Sequence, residues 1–246
     1  MTRSTRATNG GGLEAGTATI GAVSVLAIAA AWAAALAAPC PGLANELAST
    51  RGASQLVTVE APGSGATTAS LVLWARTGSC WRRVAGPWTA RVGRRGLSGR
   101  KHEGDGTTPT GAYALGPTVY GTAGDPGVRT AYHRLVCGDW WDEDPGSAGY
   151  NTFRHVACGV APPFAGTSEA LWRVTVAYRY FAVVEYNTRP VRRGRGSAIF
   201  LHVSIGAPTN GCVSLPQGRL VRLLLWLRPQ ASPLIVIGTA GEIRDF

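Results

Sequence analysis

Only one segment, Gln217 to Arg228, spaces its apolar residues for an amphipathic helix: Leu220, Leu223, Leu224 and Leu227 recur at helical intervals and Pro229 stops the run. Behind the N-terminal stretch, every other apolar run is short. Gln55 to Ala61 (QLVTVEA) and Ser70 to Arg76 (SLVLWAR) alternate apolar and polar side chains, and Gly63-Ser64-Gly65 between them reads as a hairpin loop. Thr110 to Leu115 predicts a strand. Arg173 to Tyr186 predicts a long strand or hairpin, Ser197 to Ile205 (SAIFLHVSI) a strand, and Pro233 to Gly238 (PLIVIG) a buried closing strand. The 33 glycines and 15 prolines supply the turns that so many short strands need. Strands outnumber helices and do not alternate with them, which argues against a doubly wound sheet. The expected fold is mainly β, an antiparallel sandwich or barrel with one or two packed helices. There is no internal repeat.

The N-terminus sets the compartment. Arg3 and Arg6 precede an uncharged stretch from Ala15 to Pro39 with an Ala-rich apolar core, Ile20 to Ala38, which is the layout of an export signal. Ala35-Leu36-Ala37 and Gly42-Leu43-Ala44 are both possible cleavage sites. An uncleaved anchor is the alternative, since the stretch nearly spans a bilayer. Residues 1–44 are thus read as signal peptide or membrane anchor with linker, and 45–246 as one exported domain, in the wall or membrane-anchored. The formal net charge is +10, almost wholly arginine, with Lys101 the single lysine. Such a surface favours anionic partners, but no basic run with interleaved aromatics and no nucleic-acid-binding signature is present, so nucleic acid is not expected as a partner. A membrane is expected to be touched only through the N-terminal segment.

Outside the cell disulfides persist, and five cysteines leave at least one thiol unpaired. Cys137 and Cys158 flank a loop rich in Gly, Asp, Asn and aromatics and are natural partners. Cys40 pairs with Cys80 if it survives processing. Cys212 is then free. It follows a strand-borne histidine, His202, by ten residues, across a loop holding Gly206 and Pro208 that turns the chain back. A thiol titrating near pH 8.5 needs a base or a cation beside it to act as a nucleophile, and histidine supplies one. Gly211 permits a tight turn and room for a bound carbonyl, so the N–H groups of Gly211 and Cys212 are candidates for an oxyanion hole. Singly, a cysteine beside glycine is often a small core residue, and a strand histidine is more often structural. An exported chain, an odd thiol and a histidine ahead of a Gly-Cys pair together favour catalysis.

The segment His202 to Val213 resembles the signature of the L,D-transpeptidase catalytic domain, the YkuD domain: a strand-borne His, a loop, then Ser/Thr-x-Gly-Cys and an apolar residue. Thr209, Gly211, Cys212 and Val213 fit, and His202 fits the base. Upstream, Thr108-Pro109-Thr110-Gly111-Ala112-Tyr113 resembles the family's Thr-Pro-x-Gly-x-Phe/Tyr motif. The likeness covers about Gln55 to Thr239 and is similar in detail to an actinobacterial subgroup. Asn210 stands where many members have a second His, Ser214 where Arg or Asn is frequent, and the His-to-Cys loop is short. The resemblance implies a β-sandwich or barrel of the YkuD type, Cys212 and His202 as the catalytic pair, and Gly211, Asn210 and Thr209 lining the oxyanion or substrate site. It also implies a carbonyl that orients the imidazole, with Val203 or Ser204 nearest.

The reaction implied is acyl transfer on peptidoglycan stem peptides through a Cys212 thioester, cross-linking when an amine accepts and L,D-carboxypeptidase action when water does. Carbapenem-type acylation of the thiol is implied as well. No metal or other cofactor is expected, because no HExxH, CxxC or His-x-His occurs. A papain-like or NlpC/P60 peptidase is disfavoured, since its His follows its Cys and no histidine follows Cys212. A non-catalytic wall-binding module of the same fold is the alternative from another class. His102, His133 and His155 read as surface residues. Asp139, Asp142, Glu143 and Asp144 read as a solvated acidic loop, or as a lid because they lie inside the Cys137–Cys158 loop.

Overall fold

Gln55–Ala61, the clearest alternating run, is strand β1, and the turn through Gly63-Ser64-Gly65 returns it as β2 (Thr68–Thr77), antiparallel to it. Then follow β3 (Cys80–Arg91), β4 (Leu97–Ser98), β5 (Thr108–Pro109), β6 (Gly111–Gly121), β7 (Ala131–Arg134), β8 (Asp139–Asp142), β9 (Thr152–His155) and β10 (Glu169–Ala170). The last third holds β11 (Phe181–Val184), β12 (Phe200–Val203), β13 (Val213–Leu215), helix α1 (Gln217–Trp226) and β14 (Leu234–Thr239). The computed structural model describes residues 40–246, with Gly12 and Gly16, and Cys40–Phe246 is a single compact unit. Arg3, Arg6, the apolar stretch Ala15 to Pro39 and the Ala35-Leu36-Ala37 site lie outside the described residues. No described helix is long and apolar enough to cross a membrane.

The main sheet runs β11-β12-β13-β3-β2-β1-β14-β6-β7, and β6 also pairs with β11, so all but β7 close into a barrel. Closure leaves those strands without free edges. Within the ring β1/β14 and β12/β13 are parallel; the other pairings are antiparallel. One cluster fills the interior: Val57, Val59, Leu71, Leu73, Leu201, Val213, Leu215 and Ile237, joined by Leu220, Leu223 and Leu224 of α1. The helix thus buries the stripe its sequence displays.

A separate three-stranded sheet, β10-β8-β9, lies between β7 and β11 in sequence. The Cys137–Cys158 disulfide clamps its base, and Cys40–Cys80 joins the start of the described chain to β3. The sheet packs on a second apolar cluster containing Trp141, Leu171, Tyr178, Phe181, Phe200 and Cys212.

Two sequence expectations change here. Arg173 to Tyr186 is not one long strand or hairpin. Leu171–Arg173 and Ala177–Arg179 are 3-10 turns, and only Phe181–Val184 enters the barrel. Tyr178 is buried in the aromatic cluster and its hydroxyl donates to Glu169, a tertiary tie that outweighs strand propensity. Of the acidic run only Asp144 keeps contact with solvent. Asp139 and Asp142 are fully buried and Glu143 nearly so. Asp139 accepts hydrogen bonds from His133 (2.8 Å), His155 (2.7 Å) and the Val136 N–H (2.9 Å). Burial alone would raise its pKa, but these donors hold it below the usual carboxylate range. His133 and His155 keep exposed side chains, as expected for surface residues, yet each also bonds a buried acid that ties β7, β8 and β9 together; His102 is exposed as well.

Candidate active site

His202 sits near the end of β12, whose residues point alternately to the two clusters: Leu201 and Val203 inward, Phe200 toward the second cluster, His202 on that same face. The loop after it does not form a hairpin. It crosses the end of β3, where the Thr209 N–H donates to Val92 O (2.9 Å) and the Arg94 N–H donates to Thr209 O (2.7 Å), and it returns as a strand parallel to β12. His202 is therefore in register with Ser214, and Cys212 lies two residues back on the same face, beside Phe200.

Cys212 is the one free cysteine among the described residues and is 8% exposed. Its Sγ accepts from the Phe200 N–H (3.3 Å) and donates to Ala198 O (3.3 Å). Ala198 adopts a left-handed backbone, φ 51°, strain of the kind that concentrates at functional sites. Its own N–H is held by the Asn151 side chain (3.0 Å). Burial pushes the thiol up to about 12, the nearby Glu169 and Glu143 carboxyls add to this, and the Phe200 N–H and Lys101 oppose it. Burial also drives His202 down to about 4, against its bond to Val203. That bond, Nδ1 to Val203 O at 2.8 Å, fixes the neutral tautomer with its proton on Nδ1 and leaves the Nε2 lone pair as the basic position. Among the described residues no hydrogen bond joins His202 to Cys212. Burial thus favours the uncharged form of both side chains.

Two sequence motifs a hundred residues apart meet at the cysteine loop. Thr108 Oγ1 donates to Cys212 O (3.3 Å) and accepts from the Gly93 N–H (2.8 Å). Thr209 Oγ1 donates to Cys212 O (2.6 Å) and accepts from the Gly211 N–H (3.1 Å). Of the two oxyanion donors the sequence nominates, the Gly211 N–H is thus engaged by Thr209. Gly211 has φ +146°, and a Cβ there would stand 2.9 Å from Thr107 O and 3.2 Å from Lys101 Nζ, so only glycine fits without displacement. Asn210 is exposed. Lys101 is buried and paired with Asp105 (2.9 Å). Burial would raise Asp105, but Lys101 and the N–H groups of His102 and Thr107 hold it at about 2.

Sequence reading missed what covers the thiol. Trp141 stands edge-on to Phe200 at 4.9 Å between ring centroids, and Tyr178 edge-on to His202 at 5.8 Å. Burial raises Glu143 to about 9, helped by Glu169, Glu103 and Asp142; Glu169 is raised by its own burial, against the Tyr178 bond. One Glu143 oxygen and the Ser214 hydroxyl are buried without a hydrogen-bond partner. A carboxyl whose pKa is raised by burial carries no signal in local sequence, because its burial is made by residues distant along the chain. No group of three or more His, Cys, Asp or Glu suited to a metal occurs among the described residues.

The family model of the L,D-transpeptidase catalytic domain, YkuD, matches residues 67–237, from β2 through most of β14 and including both motifs. The chain belongs to this family. No curated protein and no solved structure matches it. Membership makes this a peptidoglycan-directed domain of a transpeptidase family, and with two disulfides it fits an extracytoplasmic setting.

Proposed function

We propose that the protein is a cysteine-dependent L,D-transpeptidase in which Cys212 is the nucleophile and His202 its base. The supporting observation is their common face on neighbouring strands, with the imidazole tautomer set by Val203 so that its free nitrogen is the basic one. The His202 Nε2 takes the Cys212 proton, and the sulfur attacks the carbonyl of an L-centred residue that precedes a D-residue on a stem peptide. The C–N bond breaks, and the leaving amine takes the proton from the imidazolium. A thioester remains. A stem-peptide amine then attacks it and gives its proton to His202, the new amide forms, and the thiol is restored. Water in place of the amine gives the carboxypeptidase product.

Burial keeps both partners uncharged at rest, so reaction needs substrate to enter between the barrel and the β8–β10 sheet and to replace the apolar cover with polar groups. In this reading Gly211, Asn210 and Thr209, on the loop that carries Cys212, are the residues that meet the substrate. The exported chain would be processed ahead of Cys40, since cleavage after Ala44 would discard a disulfide partner and the packed Leu43–Asn45 turn.

The test is mass analysis of the mature protein after incubation with purified tetrapeptide muropeptides and, separately, a carbapenem. An acyl adduct on Cys212, lost in Cys212→Ser, is expected; the product ratio separates cross-linking from hydrolysis. No adduct with either reagent in folded, reduced protein would leave a wall-binding module as the reading.

A further inference from the structure

The net charge of +10 is almost wholly arginine, and four of the arginines gather round one concavity. Arg51, Arg189, Arg192 and Arg195 ring an open groove of about 770 Å³ walled by Tyr113 and Tyr186. All four are exposed, and among the described residues none of their guanidinium groups has a carboxylate partner. Glu185 is the one acidic residue in the lining. Like charges round a concavity repel one another and focus a positive potential into it, an arrangement that an anion relieves.

The groove is a site apart from the thiol. Its lining includes none of His202, Thr209, Asn210, Gly211 or Cys212, and Lys101, buried and paired with Asp105 at 2.9 Å, stands between it and Gly211. The loop that carries three of the arginines is held in place before any ligand arrives. Asn187 accepts from the Arg192 N–H (2.7 Å) and donates to Arg192 O (2.9 Å) and Gly196 O (2.8 Å), while Tyr186 donates to Arg195 O (2.6 Å). The Tyr113 and Tyr186 rings meet edge to face at 5.5 Å between centroids. Their hydroxyls donate to Thr110 O and Arg195 O, so what they offer the groove is ring surface.

We propose that this groove binds a phosphodiester-linked polyol or sugar polymer, separately from any reaction at Cys212. Charge complementarity selects that class. Four unpaired cations come from two separate segments, Arg51 ahead of β1 and the other three after β11, so they suit an occupant with several charges along a chain better than a single ion. A carboxylate accepts hydrogen bonds in one plane, whereas the free oxygens of a tetrahedral phosphate accept from several directions, which fits guanidinium forks that approach from different segments. The tyrosine faces supply apolar contact for the uncharged carbon units between charges. Nucleic acid shares the phosphodiester backbone, but the two disulfides fit a compartment without it. The proposal does not depend on the transpeptidase reading.

The experiment is calorimetric titration of the full mature chain with three probes: a glycerol-phosphate oligomer, a polyglutamate of matched charge, and phosphatidylglycerol vesicles. The oligomer should bind tightest. Arg189→Gln with Arg192→Gln should weaken its binding by about tenfold, and Arg51→Gln, on the other segment, should weaken it in the same direction. Arg82→Gln with Arg83→Gln, which changes charge equally at exposed β3 positions, should have no effect. Equal loss in this control pair, unchanged binding in both groove variants, or tighter binding of polyglutamate or vesicles than of the oligomer would overturn the assignment. Acylation of Cys212 by muropeptides should proceed equally in the wild type and the groove variants. Acylation lost only in the groove variants would place the groove in the reaction site and overturn its separateness; acylation absent from every protein, with groove-dependent binding of the oligomer, sinks the transpeptidase and supports the groove.

Discussion

The barrel interior and the covering sheet are built on opposite principles. Inside the barrel, Leu71, Leu73, Leu201, Leu215 and the α1 leucines pack with no charged group among them. Under the β8–β10 sheet, buried aromatics share space with Asp139, Asp142, Glu143 and Glu169, a thiol and an imidazole. Apolar burial stabilises the first without condition, whereas the second depends on protonation, on a disulfide and on hydrogen bonds to single groups. His202 in β12 and Cys212 just ahead of β13 face the cover, so the proposed reacting pair sits on the barrel under the less uniform region.

Truncating the interior should produce the largest effect. Leu71→Ala removes a fully buried side chain and should destabilise the whole domain by about 2–5 kcal/mol, read as a shifted denaturant midpoint. Replacing both Cys137 and Cys158 by Ser should lose about 3 kcal/mol, but locally: hydrogen exchange should quicken across 139–170 and stay slow in β1 and β14. If both regions lose protection together, they are one cooperative unit and the contrast fails.

His202→Ala tests the boundary between the two regions. Turnover should fall about a hundredfold, or about 2.7 kcal/mol, with little change in melting temperature. Retained activity with an unchanged pH profile would make His202 a packing residue.

The smallest expected effect lies in the cover's pH response. Glu143 is raised from 4.5 to about 9, so its contribution is fully present below pH 4.5 and is lost as pH rises toward 9. His202 is lowered from 6.5 to about 4, so its contribution is present above pH 6.5 and is lost as pH falls toward 4. Glu143→Gln should therefore stabilise the protein by about 1–2 kcal/mol at pH 8.5 and much less at pH 5. Equal melting shifts at the two pH values would show that the carboxyl is not buried as a neutral acid.

The sequence by itself determined what depends on local pattern. Alternation along Gln55–Ala61 marked β1, although both of its faces proved buried, and the leucine spacing after Gln217 marked α1, where side-chain periodicity and the buried face coincide. The parity of the cysteines, with the loop between Cys137 and Cys158, pointed to the pairing found and to Cys212 as the free thiol. His202 and Cys212 were legible as candidates because strand, turn and Gly-Cys lie within one short segment. Only the tertiary structure decided the rest. Parallel return of the chain, set by Thr209 bonding across the end of β3, put Ser214 opposite His202 and Cys212 two residues back. The acidic run read as solvated because its residues are polar; Asp139, Asp142 and Glu143 are buried because β9, β10 and the Tyr178 turn close around them. Four arginines, one of them more than a hundred residues from the others, ring one groove only after β6, β11 and the Arg51 turn are packed together. Periodicity reports which face of an element is apolar, but a charge's environment is made by segments far away in the chain, and no local pattern carries it.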